Sequence, residues 1–376
     1  MQKTALDHES SRLVARIDLD RLAENWRNLN KLSGTATAAA VIKANGYGHG
    51  VRPVALALEH AGCGWFFTAT MEEAVTVREI CPQARIACFD GLTKADAGVA
   101  REFGIMPSIN DPAELEVLHM LASAAGAPVP ALIQVDTGMN RLGSGVDTMA
   151  ELAASPLLAA GDWQLVYSHL ASADEPENEQ NMQQKDKFDA ARNLFPGIPA
   201  SLAATGGIML GDGFHYELTR PGIGLYGLPL VVALRGHVKP VLSLHARILQ
   251  IRNAETGEDI GYNATARLTR PSRLATIAGG YADGVRRQLS NKGCAHKSGL
   301  TAAIIGRVSM DTTIIDITDW PEDHAAVGDY VDLLHDGYTA DEMAQASGTV
   351  GYDVLTTLGL RAKQHYAGGI LKSISL

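Results

Sequence analysis

Between Ala38 and Arg220, short apolar runs alternate with longer stretches whose apolar residues recur at helical spacing. This is the pattern of repeated β-α units that build a parallel sheet. It predicts strands over Ala38–Ile42, Trp65–Thr70, Arg85–Phe89, Gly104–Ile109, Ala131–Val135, Gln164–His169, Ala200–Thr205 and Tyr216–Arg220. Eight strands favour a closed barrel over an open doubly wound sheet, which is the alternative. Helical signals fall between them. Met71–Ile80 carries acids in its first turn, and Asp111-Pro112-Ala113-Glu114 joins an N-cap to a proline at the first helical position. Upstream, Asp20 to Leu32 sets Leu22, Trp26 and Leu29 on one face, a stripe that reads as core packing.

After Pro240 the pattern turns β-rich. Runs at Val241–Ile251, Arg273–Ile277, Leu300–Val308, Thr312–Ile317 and Tyr330–Leu334 are separated by turns, with one late helix at Ala340–Ser347. The chain is therefore read as α/β, with an N-terminal eight-stranded β/α barrel over residues 18–240 and a C-terminal, mainly-β domain over 241–376. No internal repeat, low-complexity linker or long charge run interrupts it.

Composition narrows the function classes. The 376 residues are 46% hydrophobic, enough to fill two cores. With 42 acidic against 32 basic residues the formal charge is −10, which points away from nucleic acid or an anionic membrane and towards a small metabolite. Cys63, Cys81, Cys88 and Cys294 lack metal-type spacing and read as reduced thiols, so the expected setting is cytoplasmic with no metal. Residues 1–12 lack the apolar core of a signal peptide, and no later run is long enough to span a bilayer.

Candidate chemistry gathers where the predicted strands end. Lys43 closes the first apolar run and opens Lys43-Ala44-Asn45-Gly46-Tyr47-Gly48-His49-Gly50. An amine at the end of a buried strand, facing a glycine-rich turn and a tyrosine, is a place to hold a carbonyl cofactor that carries a phosphate. Taken alone, a lysine at a strand end is an ordinary solvated terminus. Asp136-Thr137-Gly138-Met139-Asn140-Arg141-Leu142-Gly143 ends the fifth strand, Tyr167-Ser168-His169 the sixth, Ala204-Thr205 the seventh and Arg220-Pro221-Gly222-Ile223 the eighth. Hydroxyls on Tyr47, Thr205 and Tyr352, with the amides of Gly222 and Ile223, suit an anionic aromatic ligand.

The stretch Ala40–Gly50 closely resembles the cofactor-binding motif of the alanine racemases, and further matching stretches follow in that family's order as far as Tyr352. The resemblance implies that Lys43 carries pyridoxal 5'-phosphate in a Schiff base. It implies that Tyr47, Thr205, Gly222, Ile223 and Tyr352 hold the phosphate, that Arg220 meets the pyridine nitrogen, and that His169 supports the ring. Asp259-Ile260-Gly261-Tyr262-Asn263-Ala264-Thr265 matches the segment of the catalytic tyrosine, so Tyr262 and Lys43 become the two bases that racemisation requires on opposite faces of the α-carbon. Tyr262 would serve the L-face and Lys43 the D-face. A phenol is a poor base at neutral pH, so the Arg220 and His169 network would have to support it.

By the same resemblance, Gly279–Arg287 and Gly306–Asp311 bring Tyr281 to the site entrance and Met310-Asp311 against the substrate carboxylate, which Arg141 also contacts. The early strand 13–17 would join the C-terminal sheet, and the site would be shared between the subunits of a homodimer. Such an enzyme interconverts L- and D-alanine and supplies D-alanine as a peptidoglycan precursor. Four positions depart from the family's pattern: Gln134 stands where a carbamylated lysine is common, Ala204 where asparagine is, and Asn140 and Asn263 where glycine is. They leave open a broader amino-acid or serine racemase. A non-catalytic pyridoxal-phosphate carrier is the more distant alternative, since such carriers lack a second domain.

Overall fold

A computed structural model describes residues 11–358 and 361–372. It divides into two compact units, one built on residues 19–239 and the other on residues 11–18 with 240–368.

In the first unit, consecutive strands Ala40–Val41, Trp65–Thr68, Arg85–Cys88, Met106–Ile109, Val129–Asp136, Gly161–Tyr167 and Ala200–Ser201 pair in parallel, in chain order. Their residues are apolar on both faces: Phe66, Phe67, Ile86, Ala87, Leu132, Ile133 and Val166 are wholly buried. Burying each of the larger side chains stabilises the fold by about 1.5–3 kcal/mol. Leu218–Thr219 pairs in parallel with Thr37–Ala38, and the Arg220 N–H donates to Ala203 O at 2.9 Å. The last strand thus meets both the first and the seventh, and the sheet closes into the expected barrel.

Most observed strands are bounded differently from the expectation, and two of the differences lie near the barrel closure. The seventh strand ends at Ser201; Thr205 opens the short helix Thr205–Ile208, and its neighbour Ala204 is extended and bridged to Arg220. Tyr216 has φ 55°, outside the β region, so the last strand begins at Leu218. Met71–Ile80 starts as predicted, with the Thr70 hydroxyl accepting the Glu73 N–H at 3.3 Å. The helix predicted from Asp111 is assigned from Glu114, with Asp111 Oδ1 accepting the Ala113 N–H one turn earlier. Leu22, Trp26 and Leu29 are all buried in the helix Leu19–Leu32. The last described turn, Gly369–Lys372, belongs to this unit, because the Asp20 carboxylate accepts the N–H groups of Gly369 and Ile370.

The second unit is a mainly antiparallel sheet in the order Ser272–Ala278, Thr312–Asp316, Leu300–Ile304, Cys294–Lys297, Tyr330–Leu334, Leu242–Ala254, Leu13–Asp18 and Lys363–Ala367. The 13-residue strand Leu242–Ala254 also pairs with Ser272–Ala278, bending through a bulge between Ile248 and Gln250. The strand expected over Leu300–Val308 stops at Ile304, because Gly306 turns the chain with φ 76°. No helix among the described residues is long and apolar enough to cross a membrane.

Candidate active site

Parallel strands deliver their carboxyl ends to one rim of the barrel, and the predicted residues follow those ends. Lys43 follows Ala40–Val41 and begins a tight turn in which Ala44, Asn45, Gly46 and Tyr47 all have φ between 51° and 63°. For the three that are not glycine, this left-handed conformation costs roughly 1–2 kcal/mol each. Several contacts hold it. The Asn45 side chain accepts the Val51 N–H at 2.8 Å, His49 Nδ1 lies 2.9 Å from Tyr47 O, and the Ala44 N–H donates to Glu73 at 2.6 Å. Burial pulls the pKa of the half-buried Lys43 amine below the usual lysine value, and nearby Arg141 adds to the effect, while Glu73 and Asp90 oppose it. A lysine displaced in this direction has more neutral amine with which to attack a carbonyl.

Across the barrel closure, Thr205 Oγ1 accepts the N–H groups of Gly222 and Gly224 at 3.1 and 3.2 Å. Gly222 sits against Tyr47: a Cβ added there would lie 2.6 Å from the Tyr47 hydroxyl. Ile223 opens the short 3-10 helix Ile223–Tyr226, where its amide has no partner within the helix. The Tyr47 and Thr205 hydroxyls and the Ile223 amide, packed around Gly222, therefore form one cradle suited to a phosphate.

Arg220 is wholly buried, and no carboxylate pairs with it among the described residues. Its Nη1 contacts Ser201 Oγ, its Nη2 donates to Ser168 O at 2.5 Å, and its guanidinium lies 4.9 Å from the Tyr167 ring centroid. Burial lowers its pKa to about 10, which leaves it charged at neutral pH. A buried cation held by neutral groups fits the acceptor nitrogen of an anionic, aromatic cofactor. His169 follows Gly161–Tyr167 and is neutral, pushed down to about 3 by burial and by Arg220, Arg141 and Lys43.

Arg141 is exposed on the loop after Val129–Asp136. Asp136 Oδ1 shapes that loop by accepting the N–H groups of Gly138, Met139 and Asn140. Gln134 holds the far end: its Nε2 donates to Leu142 O at 3.2 Å, and its Oε1 accepts the Tyr167 hydroxyl at 2.6 Å. Tyr167 thus links Gln134 to Arg220. None of these supporting contacts follows from a motif, though Tyr167 and Gln134 stand beside residues that do.

The other predicted residues belong to the second unit. Gly261 (φ 72°), Asn263 (φ 61°) and Ala264 (φ 48°) kink the chain and leave Tyr262 67% exposed. Tyr262, Tyr281, Met310 and Asp311 line one open depression of about 940 Å³, with Arg286, Arg287 and Arg307 on its wall. The two matching stretches interlock there. The Tyr281 N–H donates to Ser309 O and the Ala282 N–H to Met310 O, both at 3.0 Å, and a Cβ on Gly280 would fall 2.3 Å from Ser309 O. Arg361 neutralises two acids, binding Asp283 through Nε and Nη2 and Asp311 through Nη1, each at 2.8 Å. Asp311 can then stand near a substrate carboxylate with less repulsion. Tyr352 lies outside the depression, half-buried on the helix Gly351–Thr357.

Comparison with known proteins agrees across the chain. Residues 17–229 match the alanine racemase N-terminal domain and residues 241–366 the C-terminal domain. An alanine racemase of Rhizobium meliloti is 40% identical, covering 98% of this chain and 100% of its own. A biosynthetic alanine racemase of Agrobacterium fabrum is 39% identical, covering 95% of this chain and 94% of its own. The crystal structure of an alanine racemase from Bartonella henselae with covalently bound pyridoxal phosphate superimposes with a TM-score of 0.91 at 34% identity, covering 95% of this chain and 100% of that one.

Proposed function

The chain belongs to the alanine racemase family, and we propose that it carries out that reaction with Lys43 and Tyr262 as its two proton-moving groups. The reaction is the interconversion of L- and D-alanine, and the cofactor is pyridoxal 5'-phosphate. The observation that carries the reading is the meeting, at one barrel rim, of a Lys43 amine displaced towards neutrality with a buried, carboxylate-free Arg220.

Bound there, pyridoxal phosphate supplies an electron sink that acidifies the α-C–H of alanine. Lys43 holds the cofactor and moves the proton on the D-face, and the Tyr262 hydroxyl moves it on the L-face. Tyr47, Thr205, Gly222, Ile223 and Tyr352 bind the phosphate. Arg220 donates to the ring nitrogen without giving up a proton, which restrains transamination. Neutral His169 supports the ring, and Arg141, Tyr281, Met310 and Asp311 orient the amino acid.

Tyr262, Met310 and Tyr281 are 67%, 52% and 44% exposed around one depression, a cluster that suits a contact with a second copy of the chain. The functional form is a homodimer in which Lys43 of one subunit works with Tyr262 of the partner subunit. Refolding Lys43→Ala together with Tyr262→Ala then restores substantial activity, because mixed dimers contain one intact site. If the chains exchange and activity stays at the level of the separate variants, the two residues act within one chain. Four unpaired cysteines suit a cytoplasmic enzyme that supplies D-alanine for peptidoglycan. Ala204, smaller than the asparagine common at its place, favours a broader specificity that includes serine as the second reading. Chiral chromatography of individual L-amino acids after incubation decides activity and specificity: D-alanine as the main product supports this reading, and no D-product at all contradicts it.

A further inference from the structure

A carboxylate that no motif marks stands beside Lys43. Glu73 lies in the first turn of Met71–Ile80. Its Oε1 accepts the N–H of Ala44, the residue after Lys43, at 2.6 Å, and its Oε2 accepts the N–H of Ala69, just past the strand Trp65–Thr68, at 2.9 Å. One ionised side chain thus ties the lysine's turn to the neighbouring strand through two charge-assisted hydrogen bonds. Three non-glycine residues of that turn hold positive φ, so it needs outside contacts to persist. Glu73 also faces the lysine electrostatically, together with Arg141 and Asp90.

We propose that Glu73 is a positioning residue for Lys43: its carboxylate pins the turn that carries the lysine and supplies a negative charge that faces the amine. The proposal rests on Lys43 being the cofactor lysine. Glu73→Gln removes the charge and turns an N–H₂ or a neutral oxygen towards each amide. Glu73→Asp keeps the charge, but its shorter stem cannot bridge both amides.

The test uses the full-length chain with cofactor removed by dialysis against hydroxylamine. Acylation of Lys43 is followed across pH by peptide mass spectrometry, with circular dichroism confirming the fold. Removing a negative charge makes the amine easier to deprotonate, so the Lys43 midpoint moves to lower pH in Glu73→Gln and stays near wild type in Glu73→Asp. In Glu73→Asp, reattachment of pyridoxal phosphate, trapped by borohydride, slows roughly tenfold as one charge-assisted bond is lost. A wild-type midpoint in Glu73→Gln overturns the electrostatic half, and wild-type reattachment in Glu73→Asp overturns the pinning half; should Glu73→Gln not fold, the Glu73→Asp result still decides the pinning half. Trapping at a lysine other than Lys43 defeats the functional reading instead, while the Lys43 titration continues to report on Glu73.

Discussion

The Tyr47 hydroxyl lies 2.6 Å from the point where a Cβ on Gly222 would stand, and Val41 Cβ lies 3.4 Å from the same point. The φ of Gly222 is −122°, outside the left-handed region, and the closeness by itself excludes a Cβ here. In Gly222→Ala the tyrosine is pushed out of the cradle. Overpacking of this kind costs about 1–3 kcal/mol, which corresponds to roughly five- to 150-fold weaker binding of pyridoxal phosphate. Equilibrium dialysis measures it, with Gly64→Ala, where nothing lies within 4 Å, as the silent control. Equal affinity in the two variants removes Gly222 from the cradle.

Gln134 makes a second prediction, because a neutral amide occupies the place of a carbamylated lysine. Degassing to remove bicarbonate leaves the rate unchanged, and recovery of a lost rate on adding bicarbonate would contradict this. Gln134→Ala frees Leu142 O and leaves the buried Tyr167 hydroxyl with Ser108 Oγ as its partner, at a cost of about 0.5–1.5 kcal/mol for each hydrogen bond lost. Because the loop carrying Arg141 loosens, steady-state kinetics show a raised KM for alanine with a smaller change in kcat.

The barrel was legible because its strands are apolar on both faces, and the first-rim lysine was legible because its turn repeats a motif. Other elements gave no such signal. Cys294–Lys297 alternates half-buried polar residues, and Lys363–Ala367 is an edge strand of polar character, so neither shows an apolar run. Thr205 extended a predicted strand because its apolar neighbours conceal a helix start. Glu73 and Arg361 were missed because their partners, Ala44 and Asp283, lie 29 and 78 residues away, and only the fold brings them together.

Two buried histidines contribute to the acid sensitivity of the fold. Burial pushes His49 down to about 4, and His169 is held at about 3. Both pKa values are depressed relative to the unfolded chain, so the unfolded state binds more protons below about pH 6.5. Their contribution is therefore complete above that pH and is lost progressively as pH falls towards 4 and then 3. Thermal melts decline from pH 6.5 downwards, and His169→Gln flattens the decline. A variant that melts in parallel with wild type at every pH would show that His169 does not titrate on unfolding.

The two-base assignment is tested most directly by α-hydrogen exchange in deuterium oxide. Nuclear magnetic resonance follows loss of the α-proton from D-alanine and from L-alanine separately, with wild type and Tyr262→Phe. With Lys43 on the D-face and Tyr262 on the L-face, the variant still exchanges the α-proton of D-alanine, while exchange from L-alanine and racemisation fall by at least about 10²-fold. Retained racemisation in Tyr262→Phe, or equal loss of exchange from both enantiomers, would contradict the assignment.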